Sequence, residues 1–395
     1  MNVLIVSPFF PFPEDNGSKI RLVSLLKSLK NHDITIIAFK EQNELIKDEE
    51  IKNICSEYHI FNRPQISYFK ELLNHFSSQP LLISRFFCKE AWEKTKEIVR
   101  NKKIDLFIIE TLLMVKYAEK VPGTFLILDE HNLEFIRAKS RIVTSKNLLV
   151  KIYNYVIMVR LRRFELKAIR KFDCCMVCSD NDKNILVNLL KTDSVIVIPN
   201  AVDTDYYFLN RTSINGKKIL FIGTLWYEPN RDAVLYFVKE ILPLLKSRVP
   251  EVEFIVVGPG PTQDVIALSN QSNITVTGYV HDIRPYLSEA SVFIVPIRMG
   301  SGTRLKILTA MSMGIPVVST SVGMEGIAAT NHKDICIADD PREFCDCIYK
   351  LLFDIQFSEC IGSGGRALIM SQYSRNAIME RLSGLWDHIK EINCQ

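Results

Sequence analysis

"VPIRMGSGTRLKILTAMSMGIPVVST", Val295 to Thr320, holds the plan of the fold in one stretch. An apolar run ends in a turn rich in glycine and hydroxyls, passes into a helical pattern, and returns through Gly-Ile-Pro to a second apolar run. Strand, loop, helix and strand in that order form the repeating unit of a parallel sheet. The turn also has its own chemistry. Gly300 and Gly302 let backbone approach a ligand closely, and a helix start leaves N–H groups without partners. Those donors, with the positive end of the helix dipole, suit a phosphate or diphosphate. Ser301 and Thr303 add hydroxyls, while Arg298, Arg304 and Lys306 add charge. An ordinary hydroxyl cap is the plainer reading, but three cations in nine residues favour an anion site.

The same alternation extends outward from this stretch. Strands are predicted at Val3–Ser7, Asp33–Phe39, Leu106–Glu110, Thr124–Asp129, Cys174–Cys178 and Ser194–Pro199. They recur at Lys218–Ile222, Val252–Val257, Ile274–Thr277, Val292–Pro296 and Pro316–Ser319. Helical patterns lie between them, among them Ser18–Lys30, Lys146–Lys171 and Thr303–Met313. A chain of 395 residues exceeds what one core usually serves. We expect an α/β protein of two doubly wound, Rossmann-like domains, 1–204 and 205–373, with a final helix at 374–395 packing back on the first. Facing domains of this kind would bring the carboxyl ends of both sheets to one cleft, where such sheets bind ligands. A second helix start, Asn16-Gly17-Ser18 followed by Lys19 and Arg21, would then meet the first.

Composition narrows the class. Hydrophobic residues make up 47% and charged residues 24%, as in ordinary globular chains. The formal charge of +4 is unevenly spread, since residues 1–200 carry +7 and the remainder −3. An anionic partner is therefore to be sought on the first half. Cys174, Cys175 and Cys178 sit in a strand pattern, so the formal Cys-x-x-Cys lacks the helix start that tunes a redox pair. Reduced, buried cysteine is expected. The start "MNVLIVSPFF" is too short and too little basic for a secretory signal, and no apolar run spans a membrane. Both readings point to a cytoplasmic protein.

Taken together, the motifs resemble those of the retaining family-4 (group 1) glycosyltransferases of the GT-B fold, and more narrowly bacterial transferases of exopolysaccharide biosynthesis. The resemblance runs through "PFPEDNGSKIR", "LDEHNLEF", "VCSDNDKNIL", "VIPNAVD", "FIGTLWYEPNRDAV", "VVGPGP" and "VTGYVHDIRPYL" to the quoted segment and "TSVGMEGI". It implies transfer of a sugar from a nucleotide diphosphate sugar to a hydroxyl of a glycan or lipid-linked acceptor; the donor is expected to be a UDP- or GDP-sugar, with UDP favoured. It also implies retention of configuration and no metal or other cofactor. By the same resemblance Gly17 and Ser18, with Ser301, Gly302, Thr303, Arg304 and Lys306, would hold the donor diphosphate. His131 would contact the transferred sugar, as a positioning group more than a general base. Tyr279, Val280 and Asp282 match the loop that meets the nucleobase, and Gly258 and Gly260 an adjoining wall.

One departure stands out. Relatives in this group carry a glutamate where Thr309 stands, to accept hydrogen bonds from ribose hydroxyls, and Ser301 takes the place of an earlier acid. Losing such charge-assisted bonds costs about 1.5–3 kcal/mol. Gly223 is followed by Thr224 rather than arginine, with Arg231 a candidate to compensate. Glu325 is a candidate to hold ribose instead. Glu134 and Glu165 read as ion-pair partners of Arg137, Arg162 or Arg163. Between Lys139 and Lys171 ten cations stand against one acid among apolar residues, a pattern for peripheral contact with an anionic membrane face as well as for a solvated helix. No nucleic-acid module accompanies that charge. Two other classes share the architecture: a nucleotide-sugar 2-epimerase, and a weak or inactive homologue acting as a binding subunit.

Overall fold

Each half of the chain lays its apolar runs side by side in one sheet, and every pairing is parallel. The computed structural model describes residues 1–395 apart from 15, 43–45, 47, 65–79, 145–146, 209–215, 301 and 394–395. It divides into two units, residues 1–201 with 378–395, and residues 202–377.

In the first unit the strands are β1 (Asn2–Ser7), β2 (Asp33–Lys40), β3 (Glu57–Asn62), β4 (Leu106–Glu110), β5 (Phe125–Glu130), β6 (Cys174–Val177) and β7 (Val195–Val197). Their order is β3-β2-β1-β4-β5-β6-β7. The second unit has β8 (Lys218–Ile222), β9 (Glu253–Val257), β10 (Ile274–Gly278), β11 (Val292–Val295), β12 (Val317–Ser319) and β13 (Cys336–Ile337), ordered β10-β9-β8-β11-β12-β13. Helices on both faces explain why the central strands are continuously apolar: Val3 to Val6 are at most 1% exposed. In each sheet the order reverses once, beside β1 and β4 and beside β8 and β11. Loops leaving those strands open the crevice where doubly wound sheets bind ligands.

β3 and β13 are the strands the sequence pattern does not signal. β3 is a half-buried edge in which Glu57 and His59 bond each other at 2.7 Å, which hides its alternation. β13 is only two residues long.

The last helix, Arg375–Asn393, sends Ile378, Leu382, Trp386 and Ile389 into the core of the first unit, among Leu22, Leu25 and Leu26. The crossings between units fall at 201/202 and 377/378, so the second unit extends a few residues beyond the 205–373 read from sequence at both ends. Backbone bonds explain the shift. Val202 donates to Tyr373 at 2.8 Å and accepts from Arg375 at 3.2 Å, while Arg375 also pairs with Asp203 at 3.2 Å. Both crossing strands are thereby held in the second unit.

The Leu148–Ile169 helix begins with its apolar side chains in solvent: Leu148 is 70% and Leu149 75% exposed. Among the described residues, no helix is long and apolar enough to cross a membrane.

Candidate functional site

In the second unit, loops from β8, β9, β10 and β11 are tied together at the carboxyl edge of the sheet. Gly223 donates to Val257 at 2.9 Å, Gly258 to Gly278 at 3.0 Å, and Leu225 to Pro259 at 2.8 Å. A Cβ on Gly258 would run into the Gly223 carbonyl, so the β8 and β9 loops touch through bare backbone. The turn after β11 has Gly300 at φ 105° and Gly302 at φ 90°, a conformation that side chains rarely adopt. It leads to the Leu305–Ser312 helix.

Lys306 is the charge at the centre of this edge. Its Nζ donates to Asn230 Oδ1 at 2.8 Å and lies 4.4 Å from the centre of the Phe221 ring. Asn230 is itself fixed by donating to the Thr224 carbonyl at 2.9 Å. Burial, assisted by Arg304, pushes Lys306 down to about 7. Gly223 makes room for it, since a Cβ there would lie 2.6 Å from Nζ. Arg304 bonds the Gly302 carbonyl at 2.6 Å, and the Thr303 hydroxyl is buried with no hydrogen-bond partner among the described residues. Gly302, Thr303, Arg304 and Lys306 are thus grouped around one short turn; Ser301 lies outside the described residues. An uncharged or half-charged lysine beside a glycine turn is a poised anion receptor. A bound phosphate would restore its charge.

Other candidates in this unit are committed elsewhere. Arg231 forks onto Asp264 (Nε to Oδ2, 2.9 Å) and also pairs with Glu228. Arg298 pairs with Asp232 at 2.6 Å over the Tyr236 ring, and Asp282 with Arg284 at 2.8 Å. Tyr279 is 67% exposed and edge-on to His281, and Val280 packs at the margin of the core. Glu325 is half-buried, and its charge opposes the lowering of Arg304 by burial. Thr309 donates its hydroxyl to the Leu305 carbonyl of its own helix at 3.1 Å.

In the first unit, the corresponding edge joins the ends of β4 and β5 to the start of the Gly17–Ser28 helix, which Asn16 caps by accepting from Lys19 at 3.1 Å. His131 points between them. Its Nε2 lies 2.8 Å from Glu110 Oε2 and its Nδ1 3.2 Å from Ser18 Oγ. Arg21, which the sequence places beside Lys19 as an anion-site cation, is instead buried on Asp129 (Nε to Oδ2, 2.8 Å) and on the Ile198 carbonyl. Burial works to raise Asp129, and the Arg21 charge outweighs it, holding Asp129 below the usual carboxylate range. Burial likewise opposes charge on His131, but Asp129 and Glu110 prevail and raise it to about 9. Donor atoms of Glu110, Asp129 and His131 lie within 4.8 Å of one another, a spacing a cation fits. Arg21 already occupies both Asp129 oxygens, so the cluster carries its own countercharge and we assign it no metal.

Glu165 is not an arginine partner. Its two oxygens accept from the backbone of Glu134 and Phe135 at 2.9 and 3.0 Å, closing the otherwise open start of the Glu134–Thr144 helix. Glu134 does pair with Arg137, at 3.2 Å. Glu110 and Asp129, which meet His131, are the members of this cluster that sequence reasoning missed, having been read only as strand ends. Beside this helix a cavity of about 300 Å³ is lined by Arg85, Arg137, Tyr153, Ile157 and Arg160 among others. The nine described cysteines are free, and burial pushes Cys174 and Cys178 up to about 12.

Comparison with known proteins gives this geometry a setting. The profile of the "Glycosyl transferases group 1" family matches residues 216–354. An uncharacterized 44.6 kDa protein of the cps region of Klebsiella pneumoniae is 21% identical, over 96% of this chain and 98% of its own length. The Escherichia coli UDP-Gal:α-D-GlcNAc-diphosphoundecaprenol α-1,3-galactosyltransferase is 26% identical over 40% of this chain and 46% of its own. Among solved structures, sucrose-phosphate synthase from Thermosynechococcus elongatus superposes with a TM-score of 0.71 at 15% identity, covering 99% of this chain and all of that one.

Proposed function

We propose that this chain, of GT-B architecture and with residues 216–354 matching the group 1 glycosyltransferases, is a retaining transferase of polysaccharide biosynthesis that uses a UDP-sugar. The observation that carries the donor reading is Lys306: a half-buried lysine at the switch point of the second sheet, held by Asn230 beside a glycine turn and kept low in charge by its surroundings, suits an incoming anion. In this proposal Gly302, Thr303, Arg304 and Lys306, with Ser301, neutralise the leaving diphosphate, which is electrostatic stabilisation where charge develops. Gly17 and Ser18, at the start of the Gly17–Ser28 helix, are assigned as donors to a phosphate oxygen of the donor, and His131 as the group that positions the sugar. The buried state of the array around His131 favours a hydrogen-bond donor over a general base, because an imidazole held protonated does not accept a proton. No metal is invoked, since fixed cations take its place.

The acceptor is a glycan or lipid-linked hydroxyl, and the name of the E. coli relative is one support for a lipid diphosphate. The exposed apolar start of the Leu148–Ile169 helix, with Lys151 among its residues and Arg160, Arg162 and Arg163 following, suits peripheral contact with an anionic membrane face. A cytoplasmic, membrane-facing site of work follows from that reading.

Calorimetric titration with UDP and with GDP tests the donor. Micromolar binding of UDP, and weaker binding of GDP, is expected. Binding of neither would remove the donor assignment. Release of UDP from a UDP-sugar only when an acceptor is supplied distinguishes a transferase from a 2-epimerase, and binding without any turnover would mark a binding subunit.

A further inference from the structure

Four charged side chains meet at the carboxyl edge of the first sheet: Arg21 and His131 as cations, Glu110 and Asp129 as anions, all at most 8% exposed. They come from four separate places: the Gly17–Ser28 helix, the residue after β5, the end of β4 and the end of β5. Burial and the Asp129 charge raise Glu110, while its bond to His131 and the Arg21 charge favour the carboxylate. With both carboxylates ionised the set is neutral when His131 carries both ring protons, and a neutral imidazole would leave a net negative charge that burial penalises. Glu110 is the member with the fewest alternatives. Its Oε2 meets His131 at 2.8 Å, and its Oε1 is buried with no hydrogen-bond partner among the described residues. Cys178, at the end of β6, faces the same group, and burial keeps its thiol protonated and neutral.

The protonation of His131 also decides which way Ser18 faces. A neutral ring that donates from Nε2 to Glu110 has a lone pair on Nδ1, and the Ser18 hydroxyl, 3.2 Å away, would turn inward to donate to it. A doubly protonated ring donates from Nδ1 instead, so Ser18 Oγ accepts and its hydrogen is free to point away from the cluster. Ser18 is half-buried, and the helix N-terminus on which it stands favours anionic oxygens.

We infer that Glu110 is a positioning residue that holds His131 as an imidazolium and so turns the Ser18 hydroxyl outward, as a fixed donor to an anionic oxygen of the substrate. Glu110 itself touches no ligand. In the chain Glu110–His131–Ser18 the imidazolium donates from both ring nitrogens, to the Glu110 carboxylate and to Ser18 Oγ, and Ser18 donates outward in turn. The inference rests on the proposed use of a nucleotide diphosphate sugar for the identity of the oxygen, but the array itself can be read without any ligand.

Histidine-labelled full-length protein, followed by nuclear magnetic resonance against pH, tests it. The His131 signal is identified by its loss in His131→Asn. In the wild type it should titrate near 9, far above an ordinary histidine. In Glu110→Gln the midpoint should fall by about two pH units, the scale of losing one close carboxylate. Measured against wild type at each pH, so that the Lys306 dependence common to both cancels, UDP affinity of Glu110→Gln should match below the new midpoint and fall behind as pH rises through it. Glu110→Asp should restore part of the shift. A wild-type midpoint near 6.5, or a raised midpoint unchanged in Glu110→Gln, overturns the inference. If Glu110→Gln fails to fold, Ser18→Ala serves: it should keep the high His131 midpoint and weaken UDP binding, and a normal midpoint there overturns the array. A chain that binds no nucleotide yet shows the raised, Glu110-dependent midpoint still supports the array and removes only the donor reading.

Discussion

Trp386 in the last helix donates its indole Nε1–H to the Ser28 hydroxyl, near the end of the Gly17–Ser28 helix, at 2.9 Å across 358 residues of chain. Its ring is only 1% exposed and lies in the same core as Leu22 and Leu26. Trp386→Ala removes one of the largest buried side chains in the first unit and leaves a cavity. We expect a loss of about 3–5 kcal/mol. Urea denaturation, with separate signals for the two units, should show the loss in the first unit and leave the second unchanged.

Lys306 gives the site a sign that calorimetry can read. In the free protein burial holds it near 7, so above that pH it is largely uncharged. A bound diphosphate favours the ammonium and raises it, so nucleotide binding should take up about half a proton at pH 7 and close to one between about pH 8 and 9. UDP titrations in buffers of different ionisation enthalpy measure the uptake directly. Lys306→Met should abolish it and weaken affinity about ten- to a hundred-fold, the range for a charge-assisted bond.

Gly223→Ala tests the same residue without touching its charge. The new Cβ would lie 2.6 Å from Lys306 Nζ and 2.9 Å from the Asn230 amide, so one of them must move. UDP affinity should fall by about tenfold, while the melting temperature changes little, because the displaced group sits at the rim of the sheet. A variant that binds normally would show that the lysine is free to adjust.

Much of the edge around Lys306 is legible in the sequence because its parts are local. Gly300, Gly302, Thr303, Arg304 and Lys306 occupy one turn, and an apolar run on one side with a helical pattern on the other fixes where that turn falls. Arg231, Arg298 and Asp282 show the limit of that approach. Their charge is visible in the sequence, but Asp264, Asp232 and Arg284, which neutralise them, become partners only through the fold or the shape of a loop. Glu110 is harder still. It sits 21 residues from His131, and only the adjacency of β4 and β5 brings the two to 2.8 Å. Arg21 looks like a surface cation in the string and is buried because Asp129 and the carbonyl of Ile198 stand opposite.

Thr309 leaves a specific expectation. Its hydroxyl hydrogen is used on Leu305, so only lone pairs face outward, and they are weaker acceptors than a carboxylate. Thr309→Glu should tighten UDP about tenfold, with no comparable gain for inorganic pyrophosphate, which lacks ribose. Equal gains for both ligands would show that position 309 does not meet the sugar of the nucleotide.

The pH dependence of folding follows from His131. Its folded value, near 9, lies above its ordinary 6.5. A group raised in this way contributes stability that is complete below 6.5 and is lost as pH rises through 9. Relative to His131→Asn, the wild type should therefore lose its advantage across that window in urea denaturation at stepped pH. A constant difference would mean the imidazole is not charged in the folded state.

Vesicle sedimentation addresses the exposed start of the Leu148–Ile169 helix. Wild-type protein should bind vesicles containing phosphatidylglycerol and release them at high salt, and a Leu148→Ser, Leu149→Ser, Ile152→Ser triple variant should lose most of that binding. Equal binding to neutral vesicles would point to apolar contact alone.

The two crossings at 201/202 and 377/378 make the first unit discontinuous and the second an unbroken run. During synthesis from the amino end, residues 202–377 emerge complete while the first unit still lacks Ile378, Leu382, Trp386 and Ile389. The part made first is therefore finished last. Until the ribosome releases the chain, the apolar groove meant for that final helix stays open, and nascent chains stalled before residue 378 should hold a folded second unit beside an unfinished first one.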